Sequence, residues 1–325
     1  MTRLPWGDTP SPLMLAPMQG LTNRGMRDVV ASLGKPDVVF TEFVRVRPRS
    51  KHLIAQADFV EACARSGDTP LVVQVIGSAE DGVIQATRDL VARGVQHINV
   101  NMGCPFGRMT SVLAGGGMFR HPETIAPMLD ALRAIVPGSL SVKTRAGLDD
   151  PREIFDLVET FEQSAIDFLV IHPRTVAQKY RGEADHGITQ ALAAQAAFLV
   201  IANGDVQRPA EAAAVLAQTG AAGLMLGRGA IRDPLLFERI RGRAPAAPDA
   251  AARRREAARF LGMLLDAYEG IFCGDAQVMS KLKRVIGQLD DPDLQRWLKK
   301  LAKNKQKRKK HCGECSANTN SAQKS

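Results

Sequence analysis

The chain has 325 residues, of which 45% are hydrophobic, so it can bury a large core and could hold one big α/β domain and a smaller one. No apolar run approaches the roughly 20 residues that a membrane span needs, and the N-terminal residues do not show the apolar stretch of a signal peptide. Five scattered cysteines do not form a disulfide framework. The composition therefore argues against membrane-spanning and disulfide-rich secreted classes, and predicts a cytoplasmic protein with reduced thiols.

The formal net charge of +9 is concentrated near the end of the sequence. Segment 299–310 carries eight lysines and arginines and no acidic residue. Such a segment is typical of a contact with a nucleic-acid phosphate backbone, although a solvated tail without a specific partner has the same composition. Apolar periodicity is lost after about residue 303, which predicts a basic, disordered tail over 303–325.

Short β-rich runs alternate with helical patterns through the first three-quarters of the sequence. Eight runs predict strands: Leu13–Ala16, Val38–Thr41, Leu71–Ile76, His97–Val100, Leu140–Thr144, Phe168–Ile171, Phe198–Ile201 and Gly223–Leu226. Nearly continuous apolar strands are typical of a parallel sheet that is buried on both faces. The pattern predicts a (βα)8 TIM barrel over residues 1–243, with an open doubly wound sheet as the alternative.

Segments with apolar residues three and four positions apart predict the helices between these strands. They include Glu80–Arg93, Thr124–Ile135, Ile154–Gln163 and Pro209–Gln218. The run Ala244–Pro248 has the composition of a linker, and the Arg- and Leu-rich pattern after it predicts a small all-helical domain over 244–302. We expect one of its helices to carry a basic surface formed by Lys281, Lys283 and Arg284.

Chemically active residue types follow the predicted strands. The carboxyl ends of the strands in such a barrel meet at one face, where the chemistry of the fold takes place. At these ends the sequence has Pro17, Met18, Gln74, Asn101, Cys104, Lys143, Arg145, His172, Arg174, Asn203, Gly204, Asp205, Gly227 and Arg228. An amide, a lysine, a histidine and a thiol directed at one opening indicate an active site rather than ordinary polar strand ends.

Cys104 lies on a Gly/Pro turn directly after a predicted strand, and the run Ala114–Gly117 follows a few residues later. Backbone with so little side-chain bulk can approach a large planar ligand closely. The pattern predicts a thiol displayed in a reaction chamber. A buried cysteine beside an ordinary turn is the alternative interpretation.

The last two predicted strands end in loops that are suited to a phosphate. Glycines such as Gly204 and Gly227 let backbone N–H groups approach an anion, and Arg228 adds a charged fork. A sugar phosphate would satisfy these loops as well as a cofactor would. Gln74 and Lys143 favour a flavin, because one can bond a ring edge and the other can neutralise charge on a reduced ring. FMN fits both ends of this arrangement.

The sequence predicts no metal site. Cys312 and Cys315 form a Cys-x-x-Cys pair beside His311, but a structural zinc site needs four ligands and no second pair is present. Cys63 and Cys273 lie in helical apolar patterns, and we expect them to pack in the core.

Several of these residues belong to runs that together resemble a known family, the tRNA-dihydrouridine synthases. In chain order the runs are LAPMQGLT, TEFVRV, NMGCP followed by GGG, VKTRAG, IHPRT with KYRG, IANGD, and LGRG. The resemblance spans nearly the whole predicted barrel and is less distinct in the helical domain. The TEFVRV run and the triple glycine further resemble the C subfamily, which implies the uridine at position 16 of the tRNA D-loop as the target.

The resemblance implies an oxidoreductase in which NADPH reduces FMN, the flavin gives a hydride to C6 of a uracil, and Cys104 gives a proton to C5. A cysteine thiol suits the second task, because it is mostly protonated at neutral pH and can still release its proton. The implied partner is tRNA, bound by a monomer.

The chemistry of the strand ends, the basic helix and the resemblance together divide the predicted site residues into two groups. The implied FMN ligands are Pro17, Met18, Gln74, Lys143, His172, Asn203, Gly204, Asp205, Gly227 and Arg228. The implied tRNA contacts are Asn101, Arg145, Arg174, Tyr180, Lys281, Lys283 and Arg284. Structural roles compete for three of them: a core histidine for His172, a loop aromatic for Tyr180 and a salt-bridge partner for Arg145.

Two other functions fit part of the pattern. A flavin barrel that acts on a free pyrimidine, similar to a dihydroorotate dehydrogenase, could use Cys104 in the same way but would not need a basic helical domain. A basic RNA-binding protein whose barrel has lost its activity is the third reading, and Cys104 with Lys143 argues against it.

Overall fold

The computed structural model describes residues 4–48, 50–105, 113–289 and 296. Within these ranges the parallel strands are β1 (Leu13–Leu15), β2 (Val38–Phe40), β3 (Val44–Arg45), β4 (Leu71–Ile76), β5 (His97–Met102), β6 (Leu140–Arg145), β7 (Phe168–His172), β8 (Leu199–Asn203) and β9 (Gly223–Leu226). β1 pairs with β2, β2 pairs with β4, each strand from β4 to β8 pairs with the next, and β9 pairs with β1. The sheet is therefore closed, and the predicted TIM barrel is confirmed.

The second position of the barrel is divided between two short strands. Both β2 and β3 pair with β4, and between them Thr41 donates its N–H to the carbonyl of Val72. The Thr41 hydroxyl accepts the N–H of Gln74 at 3.0 Å. The sequence pattern predicted only the first of these two strands, because the second is two residues long.

Helices alternate with the strands around the barrel. They are α1 (Arg24–Gly34), α2 (Gln56–Cys63), α3 (Val83–Val91), α4 (Ile125–Arg133), α5 (Val158–Gln163), α6 (His186–Gln195), α7 (Pro209–Thr219), α8 (Arg228–Arg232), α9 (Leu236–Ile240), α10 (Ala250–Glu269) and α11 (Asp275–Ile286). Two predicted helices begin later than expected. Gly82 precedes α3 with a φ of 88°, outside the helical region, and Phe155–Leu157 forms a 3-10 turn before α5. None of the described helices is both long and apolar enough to cross a membrane.

The interior of the barrel is filled by buried side chains from alternate positions of the strands. Met14, Phe40, Phe168 and Met225 belong to this cluster. Trp6 packs edge-on against Phe168, with 4.9 Å between the ring centroids. Because Phe168 is the first residue of β7, the N-terminal segment covers the end of the barrel where the strands begin, and the opposite end is left for a site.

Helices α10 and α11 share a hydrophobic core with the barrel. Phe260, Leu264 and Tyr268 are buried in one cluster with Met26 and Val30 of α1. The predicted helical region is confirmed; α10 packs directly on α1, and α11 packs on α10. The boundary at residue 243 stays a prediction. The basic segment 299–310, the tail and Cys312 with Cys315 lie outside the described residues.

The prediction that Cys63 and Cys273 pack in the core is wrong, because both side chains are exposed. Cys63 is the last residue of α2, a helix with a weakly apolar face, and Cys273 lies in the turn between α10 and α11. The apolar pattern of the neighbouring helix does not continue to either cysteine, and for this reason the sequence-based prediction is wrong.

A buried ion pair fixes the loop that follows β1. Arg27 of α1 is fully buried, and its guanidinium donates to the Glu61 carboxylate at 3.0 Å, the Glu61 carbonyl at 2.8 Å and the Thr22 carbonyl at 3.0 Å. Glu61 also accepts the backbone N–H of Arg24 at 2.6 Å. Burial lowers the pKa of Arg27, and the Glu61 carboxylate opposes that shift.

We predict that Glu61→Ala destabilises the fold by about 3 kcal/mol, because it leaves the Arg27 charge buried without its partner. Urea denaturation at pH 7 measures this loss. The control is Arg243→Ala, which breaks the ion pair between Arg243 and Glu238. Because the Arg243 side chain is half exposed, this substitution should lower the free energy of unfolding by less than about 1 kcal/mol. Equal losses in the two variants would contradict the assignment.

Candidate active site

A cleft opens at the carboxyl ends of the strands, and two adjoining cavities form it. One has a volume of about 360 Å³ and is lined by Gln74, Asn101 and Cys104. The other has a volume of about 100 Å³ and is lined by Asn203, Gly204 and Gly227. The wall between them is shared by Pro17, Met18, Lys143, His172, Tyr180 and Arg228. The predicted residues at the strand ends, except Arg174, thus line one continuous cleft.

The smaller cavity has the features of an anion site. Gly204 has a φ of 133°, and a Cβ there would lie 2.9 Å from the Cβ of Ala184, so only glycine fits. A Cβ at Gly227 would make ordinary van der Waals contacts, with Met18 Sδ at 3.5 Å and with the Ala16 Cβ at 3.6 Å. The Arg228 guanidinium is half exposed and lies 3.7 Å from the Asp205 carboxylate, and Arg228 lines the cavity. A phosphate site needs backbone N–H groups that are not shielded by side chains and a cationic group such as a guanidinium, and this cavity offers both.

Lys143 lies where the two cavities meet. Its ammonium donates to the Asn203 side-chain carbonyl at 2.9 Å, and the Asn203 amide in turn donates to the carbonyl of Met225 at 2.8 Å. Desolvation, together with the nearby charge of Arg145, lowers the pKa of Lys143 to about 7. An anion bound beside this ammonium would favour its charged form.

His172 is held in the neutral form. Burial lowers its pKa to about 2, and the neighbouring charges of Lys143 and Arg145 add to that shift. The Arg174 guanidinium donates to Nε2 of His172 at 3.0 Å, so the ring hydrogen is on Nδ1. His172 can therefore offer one hydrogen-bond donor to the cleft without bringing a charge.

Arg174 does not line the cleft, in contrast to the sequence-based expectation. It is buried behind the wall, where it forms a two-point ion pair with Asp205 at 2.6 and 3.0 Å and donates to the carbonyl of Gly182 at 2.6 Å. Asp205 also accepts the N–H of Ala184 at 2.8 Å. The pair fixes the loop that carries Tyr180, so Arg174 has a structural role in this arrangement.

Arg145 and Tyr180 form the side of the larger cavity. The Arg145 guanidinium is buried and donates to the carbonyls of Gly103, Thr175 and Lys179, which joins the loops after β5 and β7. Its carbon lies 5.3 Å from the centre of the Tyr180 ring, and that of Arg228 lies 5.0 Å from the same ring. Tyr180 is half exposed, so a planar ligand can reach it.

The turn that carries Cys104 is fixed by Asn101. The Asn101 side-chain carbonyl accepts the N–H of Gly103 at 3.2 Å and that of Cys104 at 3.0 Å. Gly103 lies close to the next strand, since a Cβ there would be 3.1 Å from the carbonyl carbon of Thr144. The sequence placed Asn101 against a substrate; the structure shows that it also holds the thiol-bearing turn at the cavity wall.

The rim of the larger cavity contains residues that the sequence analysis did not select. They are Gln19, Leu21, Phe43, Pro105 and Gln288. Gln288 follows α11, so the helical region contributes directly to the cleft. No motif marked this residue, because its position depends on the packing of α11 against the barrel.

The predicted basic residues of α11 lie near the cleft and not in it. Lys281 lies 4.9 Å from the ring centre of Phe272, and Arg284 is exposed beside Gly20 of the loop after β1. Glu42 is close to Lys281 and accepts the N–H of Gly20, and burial raises the pKa of its carboxyl group. Lys281 and Arg284 thus lie next to the rim, and together with Lys283 of the same helix they form the basic edge of α11.

A third cavity, of about 380 Å³, lies at the other end of the barrel. Its lining includes Leu71 and His97, the first residues of β4 and β5, together with Arg65 and Arg93. Catalytic residues of this fold lie at the carboxyl ends of the strands, so this cavity is not the candidate active site. Among the described residues, no group of three His, Cys, Asp or Glu side chains could hold a metal ion.

The donor set of the cleft fits a flavin mononucleotide. The glycine-lined end with Arg228 suits a phosphate, and Lys143, neutral His172 and Gln74 offer donors to the heteroatoms of a ring. Met18 and Tyr180 supply apolar surface for its faces. The cleft can hold one molecule that has an anionic tail and a planar head.

Comparison with known proteins agrees with this chemistry. The family model described as "Dihydrouridine synthase (Dus)" matches residues 14–322. The tRNA-dihydrouridine synthase B of Vibrio cholerae is 34% identical over 230 residues, which are 70% of this chain and 70% of that protein. The synthase B of Pseudomonas aeruginosa is 34% identical over 235 residues, 71% and 69% of the two chains. A probable tRNA-dihydrouridine synthase of Rhodobacter capsulatus is 33% identical over 233 residues, 70% of each.

Solved structures share the fold at much lower identity. Two structures of morphinone reductase in complex with tetrahydroNAD give TM-scores of 0.52 and 0.51 at 14% and 15% identity. Each covers 76% of this chain and 92% of the other. The family match over most of the length, together with the barrel and its cleft, establishes that the chain belongs to the dihydrouridine synthase family of flavin-dependent, tRNA-modifying oxidoreductases.

Proposed function

We propose that this protein reduces the C5=C6 bond of a D-loop uridine in tRNA, with FMN as cofactor, NADPH as reductant and Cys104 as general acid. The observation that carries the proposal is that Cys104 and Lys143 line the same cavity of about 360 Å³. A proton donor and a cation that can face a reduced flavin are thus available to one ligand-sized space. We further propose that the protein acts as a monomer in the cytoplasm.

The proposed reaction consumes one uridine, one NADPH and one proton, and gives dihydrouridine and NADP⁺. The hydride for the new C–H bond at C6 would come from an FMN held by Lys143, Gln74 and Arg228 and reduced by NADPH. The Cys104 thiol gives its proton to C5, and the resulting thiolate regains a proton from water. Asn101 keeps the Cys104 backbone in place, so the sulfur need not reorganise during the transfer.

Lys143 and His172 supply the electrostatics of the site. The Lys143 ammonium would stabilise negative charge on a reduced ring, and this interaction is strong because the group is desolvated. Neutral His172 would add a hydrogen bond without repelling that ammonium. Arg228 and the glycines of the smaller cavity would hold the phosphate.

The RNA substrate must present a uridine that is turned out of its stack, at a cost of a few kcal/mol. Contacts elsewhere on the RNA would offset that cost, and the basic edge Lys281, Lys283 and Arg284 lies next to the rim of the cleft. We retain position 16 as the proposed target. The relatives from Vibrio cholerae and Pseudomonas aeruginosa are named synthase B, whereas the sequence motifs resemble the C subfamily, so an assay must identify the D-loop position.

The first test is a site-resolved assay on RNA. Wild-type protein, NADPH and tRNA transcript are incubated, and mass spectrometry of the digested RNA finds each uridine that gains two hydrogens. We expect Cys104→Ala to lower the rate at least about 100-fold, because a positioned general acid contributes about that much. FMN and tRNA binding should be unchanged, and Cys63→Ala, at an exposed cysteine, should behave as wild type.

Full activity of Cys104→Ala would overturn the role of the thiol. A gain at a position other than 16 would correct the target. Reduction of a free pyrimidine without any gain on RNA would move the function to a small-molecule dehydrogenase.

A second prediction concerns pH. The folded protein lowers the pKa of Lys143 to about 7, so above pH 7 FMN binding must restore a proton to this group if it is charged in the complex. The affinity for FMN should therefore fall as pH rises, by roughly 50-fold between pH 7 and pH 9. Quenching of FMN fluorescence on binding measures the dissociation constant. Lys143→Met should bind FMN weakly with little dependence on pH; parallel profiles for the two proteins would refute the assignment.

A further inference from the structure

Four buried side chains form a continuous hydrogen-bonded row between the cavity and the barrel interior. Asn101 donates from Nδ2 to Oε1 of Gln74 at 2.8 Å. Gln74 donates from Nε2 to Oδ1 of Asn99 at 2.8 Å, and Asn99 donates from Nδ2 to Oγ of Ser141 at 2.9 Å. The Ser141 hydroxyl donates to the carbonyl of Ile98 at 3.3 Å.

Backbone groups at both ends fix the direction of this row. At one end, the N–H groups of Gly103 and Cys104 can only donate, so the atom of Asn101 that faces them must be its oxygen. Its amide nitrogen then faces Gln74, which determines the orientation of Gln74 and, in turn, that of Asn99. At the other end, the carbonyl of Ile98 can only accept. Each amide therefore has one allowed orientation.

The direction of the row decides what the cavity presents to a ligand. Gln74 and Asn101 line the cavity, although Gln74 is fully buried, and Asn99 and Ser141 are fully buried and do not line it. The row uses only one of the two N–H groups of each cavity-lining amide. The remaining N–H groups are available as donors for the carbonyl oxygens of a planar heterocycle, such as a pyrimidine dione or a flavin ring.

We propose that Asn99, supported by Ser141, is a positioning residue for the active site. It orients the Gln74 amide so that a donor faces the bound ring. Through Gln74 and Asn101 it also holds the backbone of the Cys104 turn in place. This inference rests on the proposed function for the identity of the ring and on the structure alone for the turn.

Two substitutions at Asn99 separate positioning from mere packing. Asn99→Asp keeps an acceptor for the Gln74 amide and can accept the Ser141 hydroxyl, but it buries a carboxylate and should lower the melting temperature. Asn99→Leu fits an apolar interior better but removes the acceptor for the Gln74 N–H, so the Gln74 amide is held only by its bond with Asn101 and is less firmly positioned. A positioning role therefore predicts that Asn99→Asp is the more active variant. An effect through stability alone predicts that Asn99→Leu is the more active one.

We expect Asn99→Asp to keep kcat and FMN affinity within about threefold of wild type, and Asn99→Leu to lower both by at least tenfold. The matched control is Thr87→Val, which removes a fully buried hydroxyl on α3, where it bonds only the carbonyl of Val83. This control should lower stability without a change in kcat. If Asn99→Leu is as active as Asn99→Asp, or more active, the positioning role is wrong.

A chemical readout tests the row without turnover. Each protein is treated with iodoacetamide at pH 7, and mass spectrometry of the peptides follows Cys104 and, as an internal standard, exposed Cys63. We expect Cys104 to react at least threefold faster in Asn99→Leu than in wild type, and within twofold of wild type in Asn99→Asp. Equal rates of Cys104 alkylation in all three proteins would show that Asn99 does not hold the Cys104 turn. If wild-type protein forms no dihydrouridine, only the proposed function is overturned.

Discussion

The register between β4, β5 and β6 determines most of what the cleft can do. In these parallel strands Gln74 pairs with Asn99, and Asn99 pairs with Ser141. One step of two residues further, Asn101 of β5 pairs with Lys143 of β6. These polar side chains are thereby stacked in two layers. Asn101 and Lys143 of the upper layer and Gln74 of the lower layer line the cavity, and Asn99 and Ser141 lie beneath them. A slip of one residue in any of these strands would turn the polar side chains of that strand outwards.

The cleft brings the basic side chains of Lys143, Arg145 and Arg228 close together beside neutral His172. Burial lowers the pKa values of Lys143, Arg145 and His172, and each positive neighbour adds to the shift of the next. Such an arrangement costs folding free energy, since charges of one sign are held close together away from water. A phosphate-bearing cofactor would relieve this cost, so the protein should be more stable with its cofactor than without it.

The fold and much of the cleft could be predicted from the sequence, because apolar runs define the strands and residues at their carboxyl ends must converge. Cys104 and Lys143 were found in this way. Periodicity could not show that Arg174 turns away from the cleft, since its ion pair with Asp205 depends on the loop between them. It could not select Gln288 either, because that residue reaches the rim only through tertiary packing. No sequence signal marks Asn99, because it lies inside β5, two residues before Asn101 at the carboxyl end of the strand.

The shared core of α1, α10 and α11 has a consequence for how a nucleotide would be chosen. Phe260 and Tyr268 pack among residues of the barrel, so the basic edge at Lys281 is attached to the same packed body as Cys104. An RNA that docks on this edge would meet the thiol at a distance set by side-chain packing rather than by closure of a hinge. The protein would then act as a rigid spacer, and the selected uridine would be the one whose distance along the folded RNA matches that span.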